Sequence, residues 1–212
     1  LVIDRLLSDR WVRLFSGLLL YGAAVALIVQ AGVGVSPWDV LAQGLSLRTG
    51  ALFGVVAILI GAFLLLLWIP LRQRPGIGTL LNVLLVGAAA QVVLWLVPSP
   101  EPLAGRIALF AAGIVLLAIA TGLYVGAELG AGPRDGLMLG VARRFRWPIW
   151  VARTSIEATV VGLGWLLGGN VGLGTLAFAL LIGPLCHVAI PLFALPPAPR
   201  GAVLQPAALA PQ

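Results

Sequence analysis

Along this chain, apolar residues run in blocks of about twenty, and the charged residues collect between the blocks. Six such windows can be drawn, at 14–33, 51–70, 77–97, 107–129, 150–167 and 173–193. At ~1.5 Å rise per residue, blocks of this length approach or exceed the ~30 Å hydrocarbon core of a bilayer. The pattern predicts an all-α membrane protein with six transmembrane helices. Residues 1–13, LVIDRLLSDRWVR, alternate apolar and charged positions at helical spacing and end on Trp11 beside Arg10 and Arg13, which predicts an interfacial amphipathic lead-in. Residues 195–212 are rich in Pro and Ala without periodicity and are expected to be a disordered tail.

Two further segments, 36–48 and 132–146, are helical in pattern but too short to cross. Each opens with a helix-start signal, Ser36-Pro37-Trp38-Asp39 and Gly132-Pro133-Arg134-Asp135. Proline suits the first helical position because the N–H it lacks has no partner there, and the acidic residue two positions on meets exposed N–H groups. The two starts expose a duplication at a constant shift of 96, as in Pro37/Pro133, Asp39/Asp135, Gly34/Gly130 and Arg48/Arg144. The same shift lays Gly76-Ile77-Gly78-Thr79-Leu80 on Gly172-Leu173-Gly174-Thr175-Leu176. Between 14–98 and 110–194, about 26 of 85 pairs are identical. The chain thus divides into a first membrane repeat, 14–98, and a second, 107–194. The window at 14–29 resembles a secretory signal core, but its counterpart in the second repeat predicts a retained helix.

Charge supplies the topology. All thirteen basic residues are Arg, and they lie in connections rather than on one stripe, so the +6 formal charge is not a nucleic-acid footprint. Three spans per repeat is odd, so the second copy must enter from the opposite side. If the short helices do not cross and the N-terminus is cytoplasmic, Arg5, Arg10, Arg13, Arg72, Arg74, Arg134, Arg143, Arg144, Arg146 and Arg200 fall inside and only Arg48 and Arg106 outside. Two inverted three-helix repeats with both termini cytoplasmic follow as the expectation. At 61% hydrophobic residues and a mean hydropathy of +1.11, a chain of 212 residues leaves no room for a sizeable soluble domain. The single cysteine, Cys186, excludes an internal disulfide and a thiolate metal cage.

The string Gly-Val-Ser-Pro-Trp-Asp-Val-Leu at 34–41, GIGT at 76–79, Gly-Ala-Gly-Pro-Arg-Asp-Gly-Leu-Met at 130–138, Arg153 with Glu157, and GGNVGLGT at 168–175 together resemble the bacterial YczE/YitT-type membrane proteins. The resemblance runs from Arg13 to Phe193. It implies a bacterial inner-membrane protein of largely unassigned biochemical role, with some relatives described as permeases or exporters.

The repeat separates scaffold from candidate function. Asp39 and Asp135 occur in both copies, so helix capping is the simpler reading; the sharper one brings two broken-helix ends together near the midplane around a ligand. Thr79 and Thr175, each after a paired glycine, read first as packing and capping residues, since the lysine of a phosphate loop is absent. Asn82 and His187 read first as interhelical hydrogen-bonding groups. Charges present in one copy only need their own explanation. Arg153 stands opposite Ala57, Glu157 opposite Gly61, Glu128 opposite Gly32 and Arg134 opposite Trp38. Ionisable side chains within a bilayer cost roughly 2.5–3.5 kcal/mol or more, so they face the bundle and find partners. These residues, with Asp135 and Asp39, are the candidates for substrate or coupling roles.

No Ser/His/Asp set, HExxH, paired cysteine or nucleotide fingerprint occurs, so neither an enzyme, a metal site nor a cofactor is expected. The leading expectation is a small secondary transporter or exporter of an unidentified small molecule or ion, with its pathway between the repeats. The alternative is a non-transporting membrane partner or regulatory scaffold. The bilayer is the expected partner, nucleic acid is not, and homo-oligomerisation is left open.

Overall fold

The computed structural model describes residues 9–194, and among them the only regular structure is α-helix. Eight helices follow one another: α1 (Arg10–Ala31), α2 (Pro37–Thr49), α3 (Phe53–Trp68), α4 (Ile77–Leu96), α5 (Leu103–Gly126), α6 (Pro133–Phe145), α7 (Ile149–Leu166) and α8 (Leu173–Phe193). The expected tail over 195–212 and most of the expected lead-in lie outside the described residues. What is described of the lead-in differs from expectation. Asp9 caps the helix by accepting a hydrogen bond from the Trp11 N–H at 2.8 Å, so Arg10 to Arg13 form the first turn of α1 rather than a separate element.

Four of these helices, α1, α4, α5 and α8, are long and apolar enough to cross a membrane, and a fifth span arises if α2 and α3, bent by 119° at their junction, count as one broken helix. Of the six windows read from the sequence, the second yields only sixteen helical residues and the fifth eighteen, with Arg153 and Glu157 among them.

The duplication is visible in the helices themselves. The starts of α2 and α6 (Pro37, Pro133), of α3 and α7 (Phe53, Ile149) and of α4 and α8 (Ile77, Leu173) each differ by 96. Packing follows the same rule. Helices α1 and α5 run against each other at the centre, where Gly17 faces Tyr124 and its counterpart Gly113 faces Ile28, the residue 96 before Tyr124. Their missing side chains let the two backbones approach. Helix α4 packs on α1 and α8 on α5, whereas the short helices cross over: α2 lies on α7 and α6 on α3. The core formed there is apolar, built around Ala24, Ile28, Val40, Phe53, Ile114 and Leu117. Leucines such as Leu59, Leu66, Leu84 and Leu180 point outward, as they must in a lipid solvent.

The two paired-glycine motifs act as staples between the repeats. The Gly78 N–H donates to the Leu129 carbonyl at 2.9 Å and the Gly174 N–H to the Val33 carbonyl at 2.8 Å, so each motif grips the loop before the other repeat's short helix. Thr79 accepts from the Gly76 N–H and donates to the Ala131 carbonyl at 2.7 Å; Thr175 accepts from the N–H groups of Gly172 and Val35. In these loops Gly34 and Gly130 have φ of 121° and 139°, and a Cβ on either would stand 2.6 Å from an atom of Thr175 or Thr79. Only glycine fits such contacts without a shift.

Candidate functional site

The staples hold the N-termini of α2 and α6 near each other. On α2, the Ser36 hydroxyl caps the first turn and hydrogen-bonds the Asp39 carboxylate, which is buried. On α6, Arg134 reaches across to the same carboxylate at 3.3 Å, and its guanidinium lies 5.7 Å from the centre of the Trp38 ring. Trp38 and Arg134 are counterparts in the repeat, so the cation–π contact joins the two copies at one position. A buried acid with a hydroxyl donor and a guanidinium partner is a satisfied group.

Asp135, the counterpart of Asp39, is placed differently. Its helix begins after Gly132, which has no hydroxyl where the first copy has Ser36. Its carboxylate instead accepts a hydrogen bond from the Tyr124 hydroxyl at 3.3 Å and stands exposed at a cavity wall. Tyr21 meets Tyr124 edge to face, with ring centres 5.9 Å apart.

The cavity measures about 310 Å³ and separates α7 from α8. Arg153 and Glu157 line it from α7, paired at 2.9 Å. Phe178, Ile182 and Cys186 line it from α8, and Tyr21, Trp38, Tyr124, Arg134 and Asp135 close it. A smaller cavity of about 70 Å³ shares Tyr21, Tyr124, Arg134 and Asp135. Its remaining walls include Ala57, Gly61, Asn82, Val86 and Gly87, the repeat counterparts of Arg153, Glu157, Phe178, Ile182 and Gly183. The two cavities are therefore the same place in the two repeats, one wide and one almost shut.

Glycine contacts show why. In the first repeat a Cβ on Gly54 would fall 2.4 Å from the Gly87 carbonyl, and one on Gly87 would fall 2.6 Å from the Gly54 carbonyl, so α3 and α4 touch backbone to backbone. The Gln91 side chain seals the contact by accepting from the Gly54 N–H at 2.9 Å. In the second repeat, Gly183 has nothing within 4 Å of its missing Cβ, its opposite number is the exposed Trp150, and α7 does not pack along α8.

Of the residues singled out from the sequence, Arg134, Asp135, Arg153 and Glu157 meet at the cavity, with Asp39 directly behind them. Glu128 does not. It pairs with Arg10 at 3.3 Å near the start of α1 and adopts φ of 55°, the left-handed geometry its counterpart Gly32 has at 65°. Thr79 and Thr175 are consumed by the staples. Asn82 lines the small cavity, and His187 is exposed and lines neither; the interhelical hydrogen bonds expected of these two side chains are absent among the described residues. Sequence reasoning missed the aromatic wall. The available signal was that the only two tyrosines of the chain, Tyr21 and Tyr124, each fall inside an apolar window, where a hydroxyl needs a partner. It also passed over Cys186, which lines the cavity as a free thiol.

A second large cavity, about 710 Å³ between α3 and α7, is walled by residues such as Leu41, Leu59, Phe63, Val160 and Leu163 and carries no ionisable group. A third, about 590 Å³, gathers Arg72, Arg143, Arg144 and Arg146, with Arg143 donating to the Gln73 side chain at 2.6 Å.

Stacked apolar helices around a charged interior define a polytopic helical membrane protein. The chain belongs to the family of unknown function DUF6198, which matches residues 8–191. It is 34% identical to the uncharacterised membrane protein YczE of Bacillus subtilis over 184 residues, covering 86% of each chain. It is also 42% identical to an uncharacterised protein of Haemophilus influenzae over 170 residues, 80% of this chain and 78% of that one. A third relative, the uncharacterised protein YyaS of Bacillus subtilis, is 29% identical over 180 residues. No solved structure matches the chain.

Proposed function

We propose that the protein is a small secondary transporter or exporter of the bacterial inner membrane, built as two inverted repeats of three spans each, with both termini cytoplasmic and the pathway running between the repeats. The observation that carries this reading is the unequal closure of two equivalent gaps around one set of polar residues. An inverted pair of repeats gives alternating access when its halves exchange conformations, one gap opening as the other shuts. The wide gap lies between the first turns of α7, just after Arg143, Arg144 and Arg146, and the last turns of α8, where the Phe193 carbonyl accepts a hydrogen bond from Arg13. With arginines marking the cytoplasmic face, this arrangement is open inward. Neither an enzyme nor a nucleic-acid partner is part of the reading.

Arginine placement also supports the orientation. In a Cys186→Ala background, single cysteines at Thr49 and Arg146 should react with an impermeant maleimide from opposite sides of the membrane. Reaction from the same side would remove the inverted topology. Transport itself is tested by solute flux into liposomes holding only this protein. A non-transporting scaffold, docked through the Arg72, Arg143, Arg144 and Arg146 surface, would give none.

A further inference from the structure

The charged groups of the cavity and its backing do not balance. Two guanidiniums, Arg134 and Arg153, and two carboxylates, Asp135 and Glu157, line the cavity, and a third carboxylate, Asp39, stands behind it on Arg134. Asp39 takes Arg134 and Glu157 takes Arg153, which leaves Asp135 with a neutral phenol as its sole hydrogen-bond donor and its surface open to the cavity. An anion entering here would find both cations engaged and one carboxylate in excess. A divalent metal ion would need several oxygen or nitrogen ligands, and no group of three or more His, Cys, Asp or Glu is placed to hold one among the described residues.

What complements the site is a single positive charge with an apolar body. The same walls carry aromatic side chains: Tyr124, which hydrogen-bonds Asp135, with Tyr21, Trp38 and Phe178. Ring faces attract a cation and cover the alkyl or aryl groups attached to it. A volume of about 310 Å³ lies at the lower end of small-molecule sites. We propose that this cavity binds a small monovalent organic cation, an alkyl- or arylammonium, with its charge on Asp135 and its apolar part against the aromatic wall. This rests on the transporter reading for its purpose but not for its chemistry.

The sole cysteine provides a reporter in the unaltered protein, because Cys186 lines the same cavity. Purified full-length chain in nanodiscs is labelled with N-ethylmaleimide in the presence of benzylammonium, tetraethylammonium or, as the anionic match, benzoate. Saturating benzylammonium or tetraethylammonium should slow labelling by roughly tenfold, an occupied site of this size leaving the thiol little access, while benzoate should not. Asp135→Asn should weaken cation protection by roughly tenfold or more, and Asp135→Glu should restore most of it. Protection by benzoate, protection by neither cation, or cation affinity unchanged in Asp135→Asn each overturns the proposal. If Asp135→Asn does not fold, the comparison of cations with benzoate in the unaltered chain still decides it. Protection without flux in liposomes would remove the transport reading and keep the cation site; flux of another solute with no cation protection would do the reverse.

Discussion

Asp39 and Asp135 occupy the same position in their helices, 96 residues apart. Ser36 and Gly132 set them apart. With a hydroxyl in front of it, Asp39 turns inward, is buried and holds Arg134; without one, Asp135 turns to Tyr124 and the cavity. The two acids should therefore respond differently to substitution. Removing one partner of a buried ion pair costs about 3–5 kcal/mol, because the other charge is left uncompensated. Arg134 retains some exposure, so Asp39→Asn is expected at the lower end of that range, and Asp39→Asn with Arg134→Gln should recover part of the loss. Asp135→Asn removes no cationic partner and should cost about 1 kcal/mol or less, that of one hydrogen bond. Unfolding of the purified variants, followed by size-exclusion chromatography after heating, ranks them; equal losses for the two acids would contradict the division of labour.

At the scale of elements, the short helices are held by sequence features far from them in the chain. GIGT opens α4 yet fixes the loop before α6, and GLGT opens α8 yet fixes the loop before α2. A substitution in the loop should thus act on the opposite repeat. Gly130→Ala would place a methyl 2.6 Å from Thr79 Oγ1 at φ of 139°, and backbone strain of this kind costs of order 1–3 kcal/mol before the contact is counted. Gly32→Ala shares the positive φ but meets nothing closer than 3.9 Å, so it should be milder, near 1 kcal/mol. Thermal stability in detergent distinguishes them, and an equal effect would mean that the close approach to Thr79 is unimportant.

For the whole molecule, the asymmetry between α3–α4 and α7–α8 predicts a second conformation. Gly87→Leu would insert a side chain where even a Cβ would stand 2.6 Å from the Gly54 carbonyl, so it should prise α3 from α4. In a Cys186→Ala background, an added Ala57→Cys should then label several-fold faster with a small maleimide, since burial of the gap no longer limits access. The complementary gap is followed with Trp150→Cys and Gly183→Cys, the counterparts of the touching Gly54 and Gly87. A short bifunctional thiol reagent should join them in membranes as α7 swings onto α8. Persistent failure to cross-link, with each cysteine singly reactive, would mean that the wide gap is a permanent feature and that the halves do not exchange.

The 96-residue shift, the helix starts at Pro37 and Pro133 and the charges confined to one copy were all legible in the linear chain, because duplication and capping are local or register-based properties of sequence. From them followed the helical membrane class, the two repeats and all five charged residues now found lining or backing the cavity from single-copy or capping positions: Arg134, Asp135, Arg153 and Glu157, with Asp39 behind them. Of the six windows that hydropathy marks, four are helices long and apolar enough to span, and a fifth span arises if α2 and α3, which meet at 119°, count as one; hydropathy does not register where α3 ends. Nor did it foresee that Arg134 would choose Asp39, 95 residues away, over its neighbour Asp135, or that Glu128 would leave the interior for Arg10. Those choices depend on which faces of α1, α5, α6 and α7 converge. Equivalent sequences were placed in unequal surroundings, and only the packing of one repeat against the other decided which gap is closed, which acid is paired and which one faces the open cavity.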